Sequence, residues 1–262
     1  MNEPLRHVDV TIATGTLRGV AGDGVVRFLG VPYGEAPVGD LRFAAPVPRA
    51  PWSGVFDATA IGPRPPQPQM PAPIGAPPVD APFGEDCLHL DVHTPAIEGS
   101  RPVMVWFHGG GLAFGSTAEY DGANLASRQD VVVVCVEFRL GLLGFADLSP
   151  CGAEFAGSAS NGFRDQILAL HWVRDHIAAF GGDPGNVTIF GQSGGGVSVL
   201  ALLGAPTARG LFHRAIVLSA GPPQPAPPEV VSILGGTLDA EPVDLPSVLR
   251  SLPVERLLEL QP

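Results

Sequence analysis

Two stretches, "PVMVWFH" from Pro102 and "VVVVCVEF" from Val131, are apolar almost throughout and show no polar alternation. A strand with one wet face alternates, so such runs need cover on both faces, as in a parallel sheet sandwiched between helices. Helical cover is at hand. In "FRDQILALHWVRDHIAAF" the residues Phe163, Ile167, Leu170, Val173 and Ile177 step by four, three, three and four, which predicts one buried stripe. "GGDPGN" predicts the end of that helix. "NVTIF", a helix from Ser193 and the strand "RAIVLSAG" continue the alternation. The expectation is an α/β fold built on a mostly parallel, doubly wound sheet, in a single domain over 1–262.

The first third reads differently. "HVDVTIATG" and "GVVRFLGVPYG" are strands bounded by glycines. "CLHLDVHTP" alternates Leu88, Leu90 and Val92 with polar neighbours, which predicts a half-buried strand. Residues 63–82, "PRPPQPQMPAPIGAPPVDAP", cannot make a helix or a central strand because proline lacks the N–H donor. A surface loop is expected there.

Composition narrows the partners. The formal charge is −11, and all 15 residues of the Lys+Arg count are arginine; this balance disfavours nucleic acid and polyanionic substrates. Cys87, Cys135 and Cys151 lack metal-type spacing, so no metal or other cofactor is expected. Cys135, inside a valine run, reads as a free buried thiol. "MNEPLRHVDV" does not suit a secretory signal, and "VVVVCV" falls far short of the ~20 apolar residues that cross a bilayer. These features predict no membrane partner and a cytoplasmic location.

In an open α/β sheet the ligand site lies at the carboxyl ends of the strands. "GQSGG" stands at such an end, between "NVTIF" and a helix. In this glycine-rich chain the pentapeptide is a weak signal alone, but a strand before it and a helix after it make a sharp turn that lifts the Ser193 hydroxyl. Gly191 and Gly195 provide the room, with Gln192 inside the turn. A serine nucleophile also needs N–H donors for the oxyanion on the substrate carbonyl. "WFHGGGLAFGS", residues 106–116, follows a buried strand and offers backbone N–H groups unobstructed by Cβ atoms. Three glycines by themselves mark only a flexible turn; paired with the serine motif they point to acyl transfer.

The blocks "FLGVPYGEAPVGDLRFAAP", "PWSGVFDAT", "GEDCLHLDV", "VMVWFHGGGLAFGS", "FRLGLLGF", "RDQILALHWVRDHIAAFGGDPGNVTIFGQSGGG" and "LFHRAIVLSAG" resemble, in order, the N-terminal part of a type-B carboxylesterase. That family includes the cholinesterases and has the α/β-hydrolase fold. The resemblance implies Ser193 as nucleophile and an oxyanion hole from the N–H groups of Gly110, Gly111 and Gly194. Two departures bear on substrate. The family usually has Glu and Ala around the serine, where this chain has Gln192 and Gly194. Residues 57–82 hold no aromatic residue to match the choline-binding tryptophan of cholinesterases. A small neutral carboxylic ester is the expected substrate. No cysteine precedes Cys87, so the family's first disulfide is not expected, which fits a reducing compartment.

The acid and histidine of a triad follow the serine in this fold. The one histidine after Ser193 is His213, where the family has a non-catalytic histidine, and His108 is expected to order the glycine loop. Glu229, Asp239, Glu241, Asp244, Glu255 and Glu259 do not match the family's acid position. The expectation is a sheet that stops after the nucleophile-bearing half, with acid and histidine absent and "RAIVLSAG" left at an edge. Two other readings stay open: a non-catalytic cholinesterase-like binding protein, or a shortened product without activity.

Overall fold

A computed structural model describes residues 6–68, 81–224 and 229–261. The chain enters through three strands, β1 (Arg6–Ile12), β2 (Gly15–Gly22) and β3 (Val25–Pro32), then a short β4 (Val55–Asp57). Next come β5 (His89–Thr94), β6 (Arg101–Phe107), helix α1 (Ala123–Gln129), β7 (Val132–Val136) and α2 (Gly141–Phe145). The long α3 (Asn161–His176), β8 (Gly182–Gln192), α4 (Gly194–Gly204) and β9 (Arg214–Leu218) follow. Three helices close the described chain: α5 (Val230–Leu238), α6 (Leu245–Ser251) and α7 (Val254–Glu259).

One sheet holds these strands, in the order β1-β2-β3-β5-β7-β6-β8-β9, with β4 beside β2. The expected parallel strands are β7, β6, β8 and β9. The sheet is mixed, because β1, β2, β3 and β5 extend it through antiparallel pairs as far as β7. β7 shows why its valine run has no polar side. Val132, Val134 and Val136 belong to the main core, together with Leu170 and Val173 of α3 and Val199 and Leu202 of α4. Val133 and Cys135 pack with Leu125 and Ala126 of α1. Burying one such side chain contributes about 1.5–3 kcal/mol, and both faces of the strand contribute.

Three expectations change. β5 is buried along its whole length rather than half-buried. It lies between β3 and β7, so its polar side chains are enclosed and take partners: the Gly30 N–H donates to Asp91 at 2.8 Å, and His89 Nε2 lies 2.7 Å from the Pro63 carbonyl. On α3, Phe163 and Ile167 are half-buried, and the buried face runs through Asp165, Gln166, Ala169, Leu170, Trp172 and Val173. Polar contacts turned the helix. Asp165 takes a two-point bond from the Arg139 guanidinium, at 2.9 and 2.7 Å, and another from the Arg139 N–H. Gln166 Nε2 donates to Ser198 on α4 at 2.8 Å. In the proline-rich stretch, Pro65, Pro66 and Gln67 are buried rather than at the surface, while 69–80 lie outside the described residues.

β9 is the outermost strand on its side among the described residues, and it exposes Ile216 and Leu218 by 42% and 43%. An open apolar edge invites pairing with another chain. A second core gathers Phe43, Leu142, Leu143 and Phe155 with Leu234, Leu245, Leu249 and Leu257. Arg42 clamps it. The guanidinium pairs with Glu85 at 2.7 and 2.6 Å and donates to the carbonyls of Leu249, Arg250 and Leu252, at and just past the end of α6. A cation is well placed on the free carbonyls of a helix terminus.

The Arg139–Asp165 pair is 3% and 0% exposed. Asp165→Ala therefore strands a buried guanidinium, and urea unfolding is expected to show a loss of about 3–5 kcal/mol. In an Arg139→Met background the same change costs much less, because no charge is left unpaired. Equal losses in both backgrounds would show that the pair itself contributes nothing.

Candidate active site

Ser193 stands where β8 becomes α4, with φ 55° and ψ −120°. A side chain at such angles is strained, and the surroundings must hold it. They do so from both ends. The Ser193 N–H donates to the Leu218 carbonyl at the end of β9, at 2.9 Å, and the Ser193 carbonyl accepts the first helical bond, from Val197, at 2.9 Å. The first-turn N–H groups of α4, Gly194 among them, then have no intrahelical partner. Gly195 is obligatory by close approach. A Cβ there would lie 1.9 Å from the carbonyl oxygen of Phe107, the last residue of β6. Gly191, paired with Phe107, is buried; Gln192 is exposed and Ser193 half-buried.

The glycine loop leaves the end of β6 beside this turn. Gly110, Gly111 and Leu112 all have positive φ, at 110°, 63° and 63°. Gly110 admits no side chain, since a Cβ would lie 1.9 Å from the Phe114 carbonyl oxygen. The turn is closed by the N–H groups of Ala113 and Phe114, both donating to the Gly110 carbonyl at 3.0 Å. Among the described residues, the N–H groups of Gly110 and Gly111 donate to no protein acceptor. Ser193 and the loop are neighbours: a Cβ on Gly194 would lie 2.8 Å from Gly111 N, and one on Gly109 would lie 3.7 Å from Ser193 Cβ. The sequence-predicted residues Gly110, Gly111, Gly191, Gln192, Ser193, Gly194 and Gly195 thus meet at one end of the sheet.

Among the described residues no hydrogen bond joins the Ser193 hydroxyl to a histidine. His213 lies opposite Val187, exchanging backbone and ring bonds with it at 2.8 and 3.1 Å. Val187 is five residues before the end of β8, about 17 Å at the usual rise of a strand. His108 is wholly buried under the glycine loop. None of the six acids after Ser193 pairs with a histidine; Glu259 pairs with Arg256. Among the described residues no cluster of three or more His, Cys, Asp or Glu side chains could hold a metal ion. Among the described residues no helix is long and apolar enough to cross a membrane.

Two supports of the loop escaped sequence reasoning. Gln67 grips Gly115 by two hydrogen bonds of opposite sense, its Oε1 accepting the Gly115 N–H at 2.8 Å and its Nε2 donating to the Gly115 carbonyl at 2.9 Å. Glu137, entirely buried at the end of the valine run, accepts from Ser116 and Thr117. A carboxylate closing six apolar residues was the available signal, since a buried charge requires partners.

The carboxylesterase family model matches residues 6–229. The chain is 47% identical to the phenmedipham hydrolase of Pseudarthrobacter oxydans over 224 residues, which cover 84% of this chain and 43% of that protein. It is 43% identical to the para-nitrobenzyl esterase of Bacillus subtilis, over 82% of this chain and 44% of that one. Among solved structures, an esterase of Clostridium hathewayi that can hydrolyse aliphatic aromatic polyesters superposes with a TM-score of 0.89 at 37% identity, covering 98% of this chain and 54% of that one. The chain spans about half the length of the relatives it matches.

The backbone at Ser193 sets up a stability test. Glycine tolerates φ 55° where a side chain is strained by about 1–3 kcal/mol. Ser193→Gly is expected to unfold at higher urea than Ser193→Ala, by about 1 kcal/mol after glycine's larger entropy loss is set against the relief. The reverse order would mean that the turn stores no strain.

Proposed function

The chain belongs to the carboxylesterase family and has the α/β-hydrolase fold, and from that premise we propose that it carries the nucleophile half of a serine carboxylic ester hydrolase. The observation that carries the reading is a half-buried serine held at φ 55° beside a loop in which, among the described residues, the N–H groups of Gly110 and Gly111 lack acceptors. In this reading Ser193 Oγ attacks the ester carbonyl carbon as its proton passes to a general base. The carbonyl oxygen becomes an oxyanion facing the N–H groups of Gly110, Gly111 and Gly194. Collapse expels the alcohol, which takes up the proton, and water then releases the acid from the acyl-enzyme. Each oxyanion donor in such a site is worth about 3–4 kcal/mol in the transition state. Gly191 and Gly195 supply the space for the turn.

The acid and the general base lie outside residues 1–262. The position of His213 near the far end of β8 supports this, as does the enclosure of His108. The substrate is a small neutral carboxylic ester. Gln192, exposed at the turn, has no charge with which to attract a cation, and residues 57–82 have no ring to stack on one. The phenmedipham hydrolase and the polyester-hydrolysing esterase are consistent with ester-type substrates in this family. All three cysteines are free thiols, which supports a reducing, cytoplasmic setting.

A fluorophosphonate probe should form a single adduct on the peptide containing Ser193, mapped by mass spectrometry and lost in Ser193→Ala. A non-catalytic relative would show none. Residues 1–262 alone should retain only the rate that binding and oxyanion donors provide, roughly 10³–10⁴ over water, far below a chain that also carries the acid and histidine. Equal turnover by the two would require a base within 1–262.

The esterase should also show higher kcat/KM for an uncharged acetate ester than for acetylthiocholine. Gln192→Glu should narrow that gap by restoring a negative charge, by less than about tenfold at an exposed position. A wild-type preference for the choline ester would contradict the proposed substrate class.

A further inference from the structure

One carboxylate holds both ends of the glycine loop. Glu137 Oε1 accepts from Ser116 Oγ at 2.5 Å, from the Thr117 N–H at 2.8 Å and from Thr117 Oγ1 at 3.3 Å, where the loop ends. Its other oxygen, Oε2, faces His108 Nε2 at 3.5 Å, where the loop begins. Both side chains are 0% exposed. Among the described residues neither of these two facing atoms has a hydrogen-bond partner, and each is the buried polar group that the other faces.

The backbone that carries the carboxylate is tied on both sides. The Glu137 N–H donates to the His89 carbonyl at 3.0 Å, and the Glu137 carbonyl accepts from Tyr33 OH at 2.6 Å. Burial works against its charge, yet His108, His89 and Ser116 outweigh burial and hold the carboxyl below its ordinary range. The imidazole is equally confined. It stacks on Phe138 with centroids 4.5 Å apart, and Gly115 passes so close that a Cβ there would lie 2.6 Å from His108 Nδ1.

His108 Nδ1 lies 2.8 Å from the Gly109 carbonyl oxygen. A carbonyl only accepts, so this nitrogen carries a hydrogen. An ionised carboxylate also only accepts, so the contact with Nε2 is attractive when that nitrogen carries one too. The Gly109 carbonyl and the Gly110 N–H belong to a single peptide unit. A donor on its oxygen draws electrons toward that end and makes its N–H a stronger donor at the other.

Resting on the proposed ester hydrolysis, we infer that Glu137 is a positioning residue: through His108 it polarises the Gly109–Gly110 peptide and so strengthens the Gly110 N–H toward the oxyanion. The benefit is confined to the transition state, because the carbonyl oxygen of the resting ester bears little charge. Glu137→Gln keeps the shape and the acceptor for Ser116 while removing the charge. His108→Asn keeps a donor near the Nδ1 position while removing the ring that Glu137 faces.

In the full-length protein, Glu137→Gln should lower kcat about tenfold and change KM less than twofold. The affinity for a trifluoromethyl ketone, which forms a tetrahedral oxyanion on the serine, should fall by the same factor. His108→Asn should lower kcat similarly, and the double variant should be no slower than either single one, as expected of residues acting as a unit. The backbone amide resonance of Gly110 should move upfield in Glu137→Gln without any substrate. An unchanged kcat, a rise in KM alone, multiplying effects, or a Gly110 resonance that does not move would each overturn the inference. If the wild-type protein shows no Ser193-dependent turnover, the proposed hydrolysis fails, while the Gly110 resonance still decides whether Glu137 polarises the loop.

Discussion

Everything at the site depends on a backbone-to-backbone approach between the end of β6 and the start of α4. A Cβ on Gly195 would lie 1.9 Å from the Phe107 carbonyl oxygen, so the helix can begin there only if that position has no side chain. The approach has two consequences. It forces the chain through φ 55° at Ser193, and it brings the loop leaving β6 against the serine. One contact therefore creates both the raised hydroxyl and its neighbouring N–H groups. The sheet makes the contact possible, because parallel pairing of β6 with β8 sets Phe107 beside Gly191.

The second layer of organisation is ionic and buried. Arg139–Asp165 fastens α3 to the chain after β7, Arg42–Glu85 fastens the C-terminal helices, and Glu137 with His108 lies beneath the glycine loop. Buried pairs like these are poor sources of net stability, because desolvation offsets most of the attraction. Their contribution is geometric. A guanidinium that makes a two-point bond to a carboxylate allows one orientation, whereas an apolar contact of the same area allows several. Around a serine that must stay strained, a single allowed arrangement matters more than a few kcal/mol of cohesion.

Legibility in the sequence followed the range of the interactions. The valine run, the strand before "GQSGG" and the helix after it are local patterns, and each element formed where the pattern placed it. The face that α3 buries was not legible. Hydrophobic spacing pointed through Phe163 and Ile167, while Asp165 and Gln166 hold the buried side because Arg139 and Ser198 await them there. β5 misled in the same way. Alternation marks a wet face only if the strand has one, and β5 lies mid-sheet with Asp91 and His89 bonded to the backbone of Gly30 and Pro63. Gln67 was hidden inside a proline run that reads as surface.

The sequence by itself determined the chemistry on offer: a serine between glycines at a strand end, a second glycine loop at another, and acidic, lysine-free surroundings. Those follow from residue type and short-range geometry, which a linear pattern carries. Only the tertiary structure decided which groups meet. It set His213 near the wrong end of β8, enclosed His108, and brought Glu137 to both ends of a loop twenty residues away. Sheet order caused this, since β7 lies beside β6 although α1 separates them in the chain. Pairing between strands that are distant along the chain has no periodic signature, and the partners of a buried charge are known only once the sheet has closed around it.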